Sequence, residues 1–289
     1  MTLLNILIAG GTGRFGGMLV DALLADGAYK VGVLSRIGTQ SKALDSLRER
    51  GVHIVHVDYD SHVSLVEAMQ GTDTLVCTLD YGSAVKLQDA LFRAAKDAGV
   101  SRVVPSEYGP DSPGMLQLMY EDPASMERSI KDLQLEYTRY FAGNFYEYLT
   151  SPEGGIDIPL RNALVFGNID VPMAAIRGRD VARFMAASLK DPRSRNASLR
   201  FQSEAITYRQ LIDAIEKRIG DRLNIEHVLS DVPVADQYAV DASLREQIQQ
   251  FDLVVERGDA VLTGVDNAMF PCVKCSTLRD YLKDTLPRT

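Results

Sequence analysis

No apolar run in this chain approaches the roughly 20 residues that a membrane-spanning helix requires. Cysteine is scarce as well, with 3 in 289 residues. Cys77, Cys272 and Cys275 are too few for a disulfide framework, and the last two form a lone C-x-x-C with no second pair and no histidine cluster. No metal site and no redox centre is therefore expected from them. An excess of positive charge is also lacking: 31 Lys and Arg face 39 Asp and Glu, a formal net charge of -8. Nucleic-acid binders usually carry a basic stripe, so no nucleic-acid partner is expected, nor a membrane one; the expected partner is a small-molecule substrate. The opening stretch 3–9 is only a strand long, has no basic flank and runs straight into Gly10 and Gly11. It does not read as a secretory signal, and a cytoplasmic location is the default expectation.

What is present is 46% apolar composition over 289 residues, enough for one large α/β unit or two cooperating domains with cores of their own. Residues 5–9 form a short apolar run that ends in glycines, and residues 14–27 then place Phe15, Met18, Leu19, Ala22 and Leu23 at helical spacing. Strand-like runs recur at 30–35, 53–57, 74–78 and 102–105, separated by helix-like stretches at 41–50, 61–69 and 84–98. Strands alternating with helices of this length imply right-handed crossovers and a parallel sheet covered on both faces. The fold class expected is a doubly wound parallel α/β sheet.

After Pro105 the rhythm loosens. Residues 106–120 contain Gly109, Pro110, Pro113 and Gly114 and suit an irregular loop at the carboxyl ends of the strands. A helix at 124–132, a strand at 135–141 and a Gly/Pro-rich stretch at 151–159 follow. The boundary is placed near Thr150, with a nucleotide domain at 1–150 and a smaller substrate domain at 151–289, some of which is free to return to the sheet. In that distal part, 179–189 and 208–219 read as helices, the latter capped by Thr207, and 198–201 reads as a strand.

The segment that carries chemistry is Gly10-Gly11-Thr12-Gly13-Arg14-Phe15-Gly16. Glycines at these positions permit a tight turn, bring main-chain N–H groups up to a pyrophosphate and let helix pack on strand, while the helix N-terminus favours the negative charge. A strand before and a helix after supply the context that a lone G-x-G-x-x-G lacks, so the motif points to a Rossmann-type domain that binds a nicotinamide dinucleotide. A carboxylate after the second strand would bond the ribose hydroxyls of NAD, whereas a cation pairs with the 2'-phosphate of NADP. Here Leu34-Ser35-Arg36 stands, Arg36 follows Gly16 by 20 residues, and no Asp or Glu occurs between Lys30 and Ala43. Arg36, with Lys42 and the Ser35 hydroxyl beside it, points to NADP(H).

Taken in order, the glycine turn, Leu34-Ser35-Arg36, residues 51–58, Val104-Pro105-Ser106-Glu107-Tyr108-Gly109, and residues 137–145 with Ala142-Gly143-Asn144-Phe145 resemble the NmrA-like and isoflavone-reductase-like branch of the atypical short-chain dehydrogenases. The resemblance covers about residues 4–220, with Pro-Ser-Glu-Tyr-Gly its most specific part. It implies a cofactor lying over Gly10 to Gly16, with Arg36 at the 2'-phosphate, Thr78 and Leu79 near the adenosine ribose, Ser106 near the nicotinamide, and Phe145 and its neighbours approaching ring and substrate. It also implies a substrate pocket between the domains.

One departure matters. No lysine has a tyrosine four residues before it, so the Tyr-x-x-x-Lys dyad of ordinary short-chain dehydrogenases is absent. The lysine that reductases of the resembled branch carry at the start of the helix after the Pro-Ser-Glu loop is replaced by Pro123 or a neighbour, and Lys131 lies about two turns too late. The remaining candidates are Tyr108 and Tyr120 as proton donors, and Glu107 and Glu121 as acids tuned by burial. Three functions stay open. One is an NADPH-dependent reductase of a small aromatic or unsaturated, natural-product-like molecule; another is a dinucleotide-binding redox sensor of the NmrA type that engages a protein partner without turnover; the third is a non-redox isomerase or cyclase on the same scaffold.

Overall fold

Strand β1 (Leu4–Ala9) buries its last four residues and β4 (Thr74–Cys77) buries all four. Such continuous apolar strands belong in a sheet covered on both faces. The computed structural model describes residues 3–112, 124–228 and 242–286. Within them a seven-stranded sheet runs in the order β11-β6-β5-β4-β1-β2-β3, where β2 is Tyr29–Arg36, β3 His53–Val57, β5 Arg102–Val104, β6 Glu136–Ala142 and β11 Ala197–Phe201. Every pairing from β6 to β3 is parallel. Helices α1 (Arg14–Asp26), α2 (Lys42–Glu49), α3 (His62–Ala68) and α4 (Tyr81–Asp97) make the crossovers, which is the doubly wound sheet expected from the alternation of runs.

Because β1 is flanked by β2 on one side and β4 on the other, the chain leaves it in opposite directions and opens a crevice at its carboxyl end. Local chemistry sets the ends of the elements around that crevice. Helix α1 stops at Gly27, whose φ of +76° is left-handed and whose N–H donates to Leu23 O. Residues 42–49 become helical behind Ser41, whose hydroxyl accepts from Leu44 N.

Two compact units are present. One holds Met1–Glu107, Asp122–Tyr140 and Val181–Leu199; the other holds Tyr108–Glu121, Phe141–Asp180 and Arg200–Thr289. In the first, buried Arg102 fastens the later segment to the sheet, donating to Leu189 O at 2.9 Å and to Ser194 Oγ at 3.1 Å. The second contains two three-stranded sheets, ordered β12-β10-β7 and β13-β9-β8, in which β7 is Asn144–Phe145, β8 Ile156–Asp157, β9 Asn162–Phe166, β10 Met173–Ile176, β12 Glu204–Ile206 and β13 Asn224–Val228. Its amphipathic helix Tyr208–Ile219 starts at Thr207, where a reciprocal capping box with Gln210 makes the expected cap, and ends at Gly220. Leu211, Ile212, Ile215 and Ile219 from this helix join a core with Tyr146, Val165 and Val254.

That core also encloses a carboxyl group. Asp252 accepts from Phe166 N–H at 2.8 Å and from the Tyr208 hydroxyl at 2.6 Å, and burial pushes it from an ordinary 3.8 to about 7. The native state therefore holds a proton that the unfolded chain releases near pH 4, and stability is lost as pH climbs from about 4 to about 7. Asp252→Asn keeps the shape without the titration. Urea unfolding at pH 5 and pH 8 should show wild type losing about 2–3 kcal/mol relative to this variant over that interval. Parallel pH dependence in the two proteins would refute the assignment.

Candidate functional site

The turn between β1 and α1 is folded by Gly13 N–H donating to Gly10 O at 2.9 Å and Gly17 N–H donating to Gly13 O at 2.8 Å. Gly10 has a φ of +89°, and a Cβ there would lie 2.5 Å from Thr78 O. At Gly16 the constraint is tighter, since a Cβ would stand 2.2 Å from Gly10 O and 2.7 Å from Thr78 Oγ1. Gly11 is buried against Val33, where an added Cβ would meet Cγ2 at 2.6 Å. The turn is thus pressed onto the end of β4, and the Thr78 N–H and hydroxyl both donate to Ala9 O, at 2.8 and 3.1 Å. Gly13 caps α1 with extended backbone. Among the described residues no side chain closes this helix N-terminus, and its first turn carries no acid. The leading N–H groups and the positive end of the helix dipole are left for an anion.

These N–H groups face a cleft of about 710 Å³ within the first unit. Of the residues singled out from sequence, Gly10, Thr12, Gly13, Arg14, Phe15, Ser35, Arg36, Thr78 and Leu79 line it, while Gly11 and Gly16 lie buried in the turn beneath. Lys42, the first residue of α2, is exposed and stands outside the lining. Phe145, in β7, and half-buried Tyr108 belong to the second unit. Tyr120 and Glu121 lie outside the described residues, as does Pro123.

The cleft also holds groups that sequence reasoning missed. Tyr59 and Asp60 follow β3, and Asp80 and Ser83 follow β4, so all four come from the carboxyl ends of parallel strands. That position was the available signal. Ser83, through its hydroxyl and its N–H, holds Asp80 below the usual carboxylate range. Burial, reinforced by the nearby Cys77 thiol and opposed by the Arg36 guanidinium, pushes the Tyr59 hydroxyl up to about 12. Two cations, Arg14 and Arg36, therefore share the cleft with two carboxylates that the Lys30 to Ala43 stretch did not reveal.

Ser106 sits behind the cleft wall. Its hydroxyl donates to Leu79 O at 2.8 Å, and its N–H donates to Gln88 Oε1 at 2.7 Å. The next residue, Glu107, has a fully buried side chain whose two oxygens accept from Arg139 Nε and Nη2, at 2.7 and 3.3 Å. This corrects its expected role, because a carboxylate gripped on both oxygens is engaged in structure rather than presented as an acid. Lys131 donates to Glu127 at 2.5 Å within helix Ser125–Asp132, as an exposed pair one turn apart.

Fold and turn together define a Rossmann-type dinucleotide-binding architecture. The model of the NmrA-like family matches residues 4–282, and the chain belongs to that family. The match runs well past the part of the chain in which the resemblance was legible. A bifunctional pinoresinol-lariciresinol reductase of Linum usitatissimum is 27% identical over 307 residues, covering 96% of this chain and 97% of that protein. Phenylcoumaran benzylic ether reductase PT1 of Pinus taeda is 28% identical over 309 residues, covering 97% and 98%. Among solved structures, AtPrR2 with NADP+ and (+)pinoresinol superposes with a TM-score of 0.81 at 24% identity, covering 99% of this chain and 100% of that one, and it speaks for the fold.

Paired substitutions test the packing of the turn. At Gly17 nothing lies within 4 Å of an added Cβ, so Gly17→Ala should stabilise α1 by about 0.5–1 kcal/mol. Gly16→Ala should destabilise by about 2 kcal/mol or more, because the nearest obstructing atom, Gly10 O, is backbone. Urea midpoints for both measure the contrast, and equal midpoints would contradict it.

Proposed function

We propose that this chain is an NADPH-dependent reductase that delivers hydride to a small aromatic or unsaturated, natural-product-like molecule. The observation that carries the reading is the convergence on one cleft of an uncapped helix N-terminus, a glycine turn with no room for a Cβ at Gly10, Gly11 or Gly16, and the Arg36 guanidinium. Pyrophosphate suits the first two, since N–H groups and helix dipole stabilise it where a side chain would obstruct it. The 2'-phosphate suits Arg36, whose planar guanidinium offers paired donors to phosphate oxygens. Asp60 and Asp80 are exposed carboxylates suited to ribose hydroxyls at the adenosine end. Relatives named as reductases, and a fold neighbour holding NADP+ and (+)pinoresinol, support the same chemistry.

When bound, the cofactor supplies the hydride; the chain's task is to position the reacting atoms and to move a proton. Proton delivery is assigned to a tyrosine hydroxyl, Tyr108 or Tyr120, given that the chain carries no Tyr-x-x-x-Lys pair. Substrate recognition is assigned to the second unit.

Calorimetric titration with NADPH, NADP+, NADH and NAD+, followed by a screen for NADPH consumption against aromatic ethers and enones, tests the reading. Tighter binding of the phosphorylated forms together with turnover supports it. Binding with a preference for oxidised forms and no turnover would favour the sensor instead. Arg36→Ala should weaken NADPH by about 1.5–3 kcal/mol and leave NADH nearly unchanged; equal losses for both would remove Arg36 from the 2'-phosphate.

A further inference from the structure

The cofactor reading accounts for Arg36 and the glycine turn, and the inference drawn next rests on that reading. In the order β6-β5-β4-β1-β2-β3, Arg36 ends β2 on one side of β1, while β4 and β5 lie on the other. A dinucleotide with its 2'-phosphate at Arg36 and its pyrophosphate over α1 therefore carries its nicotinamide half across the ends of β4 and β5. The groups shaping that side are Leu79 after β4 and Ser106 after β5, joined by the bond from the Ser106 hydroxyl to Leu79 O.

The segment after β5 is fixed at its next residue. Glu107 is wholly buried, and Arg139, on the neighbouring strand β6, grips both of its oxygens. The same guanidinium donates to Glu127 Oε2 at 3.0 Å, so helix Ser125–Asp132 is tied to the same point. A buried ion pair of this kind contributes little net stability, because desolvating both charges offsets their attraction; what it does enforce is one relative placement of the parts that carry it. The planar fork of arginine makes three directed bonds here, which a single ammonium group cannot reproduce.

We infer that Arg139 is a positioning residue: through Glu107 it holds Ser106, and through Ser106 the Leu79 wall, where the nicotinamide half must lie. Loss of the guanidinium disturbs that half and spares the adenosine half.

The test uses the full chain with two probes, NADPH and 2'-phospho-ADP-ribose, which lacks the nicotinamide. Arg139→Met should leave the affinity for the fragment within about twofold of wild type, weaken NADPH about tenfold, and reduce the shift in emission of bound NADPH. Arg139→Lys should restore only part of the signal. If Arg139→Met fails to fold, Glu107→Gln, which keeps the volume and one acceptor oxygen, should show the same split at smaller size. Unchanged NADPH affinity and emission in the folded variant overturns the proposal, as does a parallel loss for both probes, the pattern of a merely structural residue. A wild-type protein that binds neither probe instead overturns the cofactor reading on which the proposal stands.

Discussion

The approach of the β1–α1 turn to the end of β4, so close that a methyl group at Gly10 would stand 2.5 Å from Thr78 O and one at Gly16 2.7 Å from Thr78 Oγ1, is the constraint on which the first unit depends. It sets where α1 begins and leaves its N–H groups unclaimed by any described side chain. It also brings Thr78 against Ala9 O, so the wall after β4 is registered to the turn and not merely adjacent to it. An anion site built in this way needs no cationic side chain at its centre, because the main chain already presents the donors. In the proposed reading charge then serves to discriminate, through Arg36 in the wall of the cleft.

A chain of net charge -8 can bind a multiply charged anion only if local geometry outweighs the overall field. Exposed charges more than about 10 Å apart are largely screened at ordinary ionic strength, so the distant carboxylates matter little and those lining the cleft matter most. Asp60 and Asp80 are on that rim with Arg14 and Arg36, and the mixed composition suits a ligand that offers hydroxyls as well as phosphates. A site for inorganic phosphate alone would have no use for two carboxylates.

Legibility in the sequence followed contact distance along the chain. The glycine turn, α1 and the Thr207 cap are interactions among residues a few positions apart, and spacing alone reveals them. Tyr59 and Asp80 reach one cleft because β3 and β4 flank the β1–β2 pair, a fact of strand order that no local pattern states. Glu107 showed the same limit in sharper form. Its motif was conspicuous, but its role turned on Arg139, 32 residues away on the next strand, and with that partner in place it is a structural carboxylate. The second unit was least legible, since strands as short as Ile156–Asp157 and Glu204–Ile206 carry too few residues for a period to emerge.

Two buried carboxylates show how the choice of partner divides these tasks. Glu107 lies against a guanidinium that stays charged at every pH a protein survives, so its geometry is a permanent feature of the loop it anchors. Asp252 receives a phenol and a backbone N–H, and burial raises it to about 7. Neither donor brings a full positive charge to balance the anion, and deprotonation therefore weakens the core around it. The same residue chemistry thus gives a fixed fastening near the proposed cofactor cleft and a proton-dependent one in the second unit. The difference lies wholly in which donors the fold brings to the carboxylate.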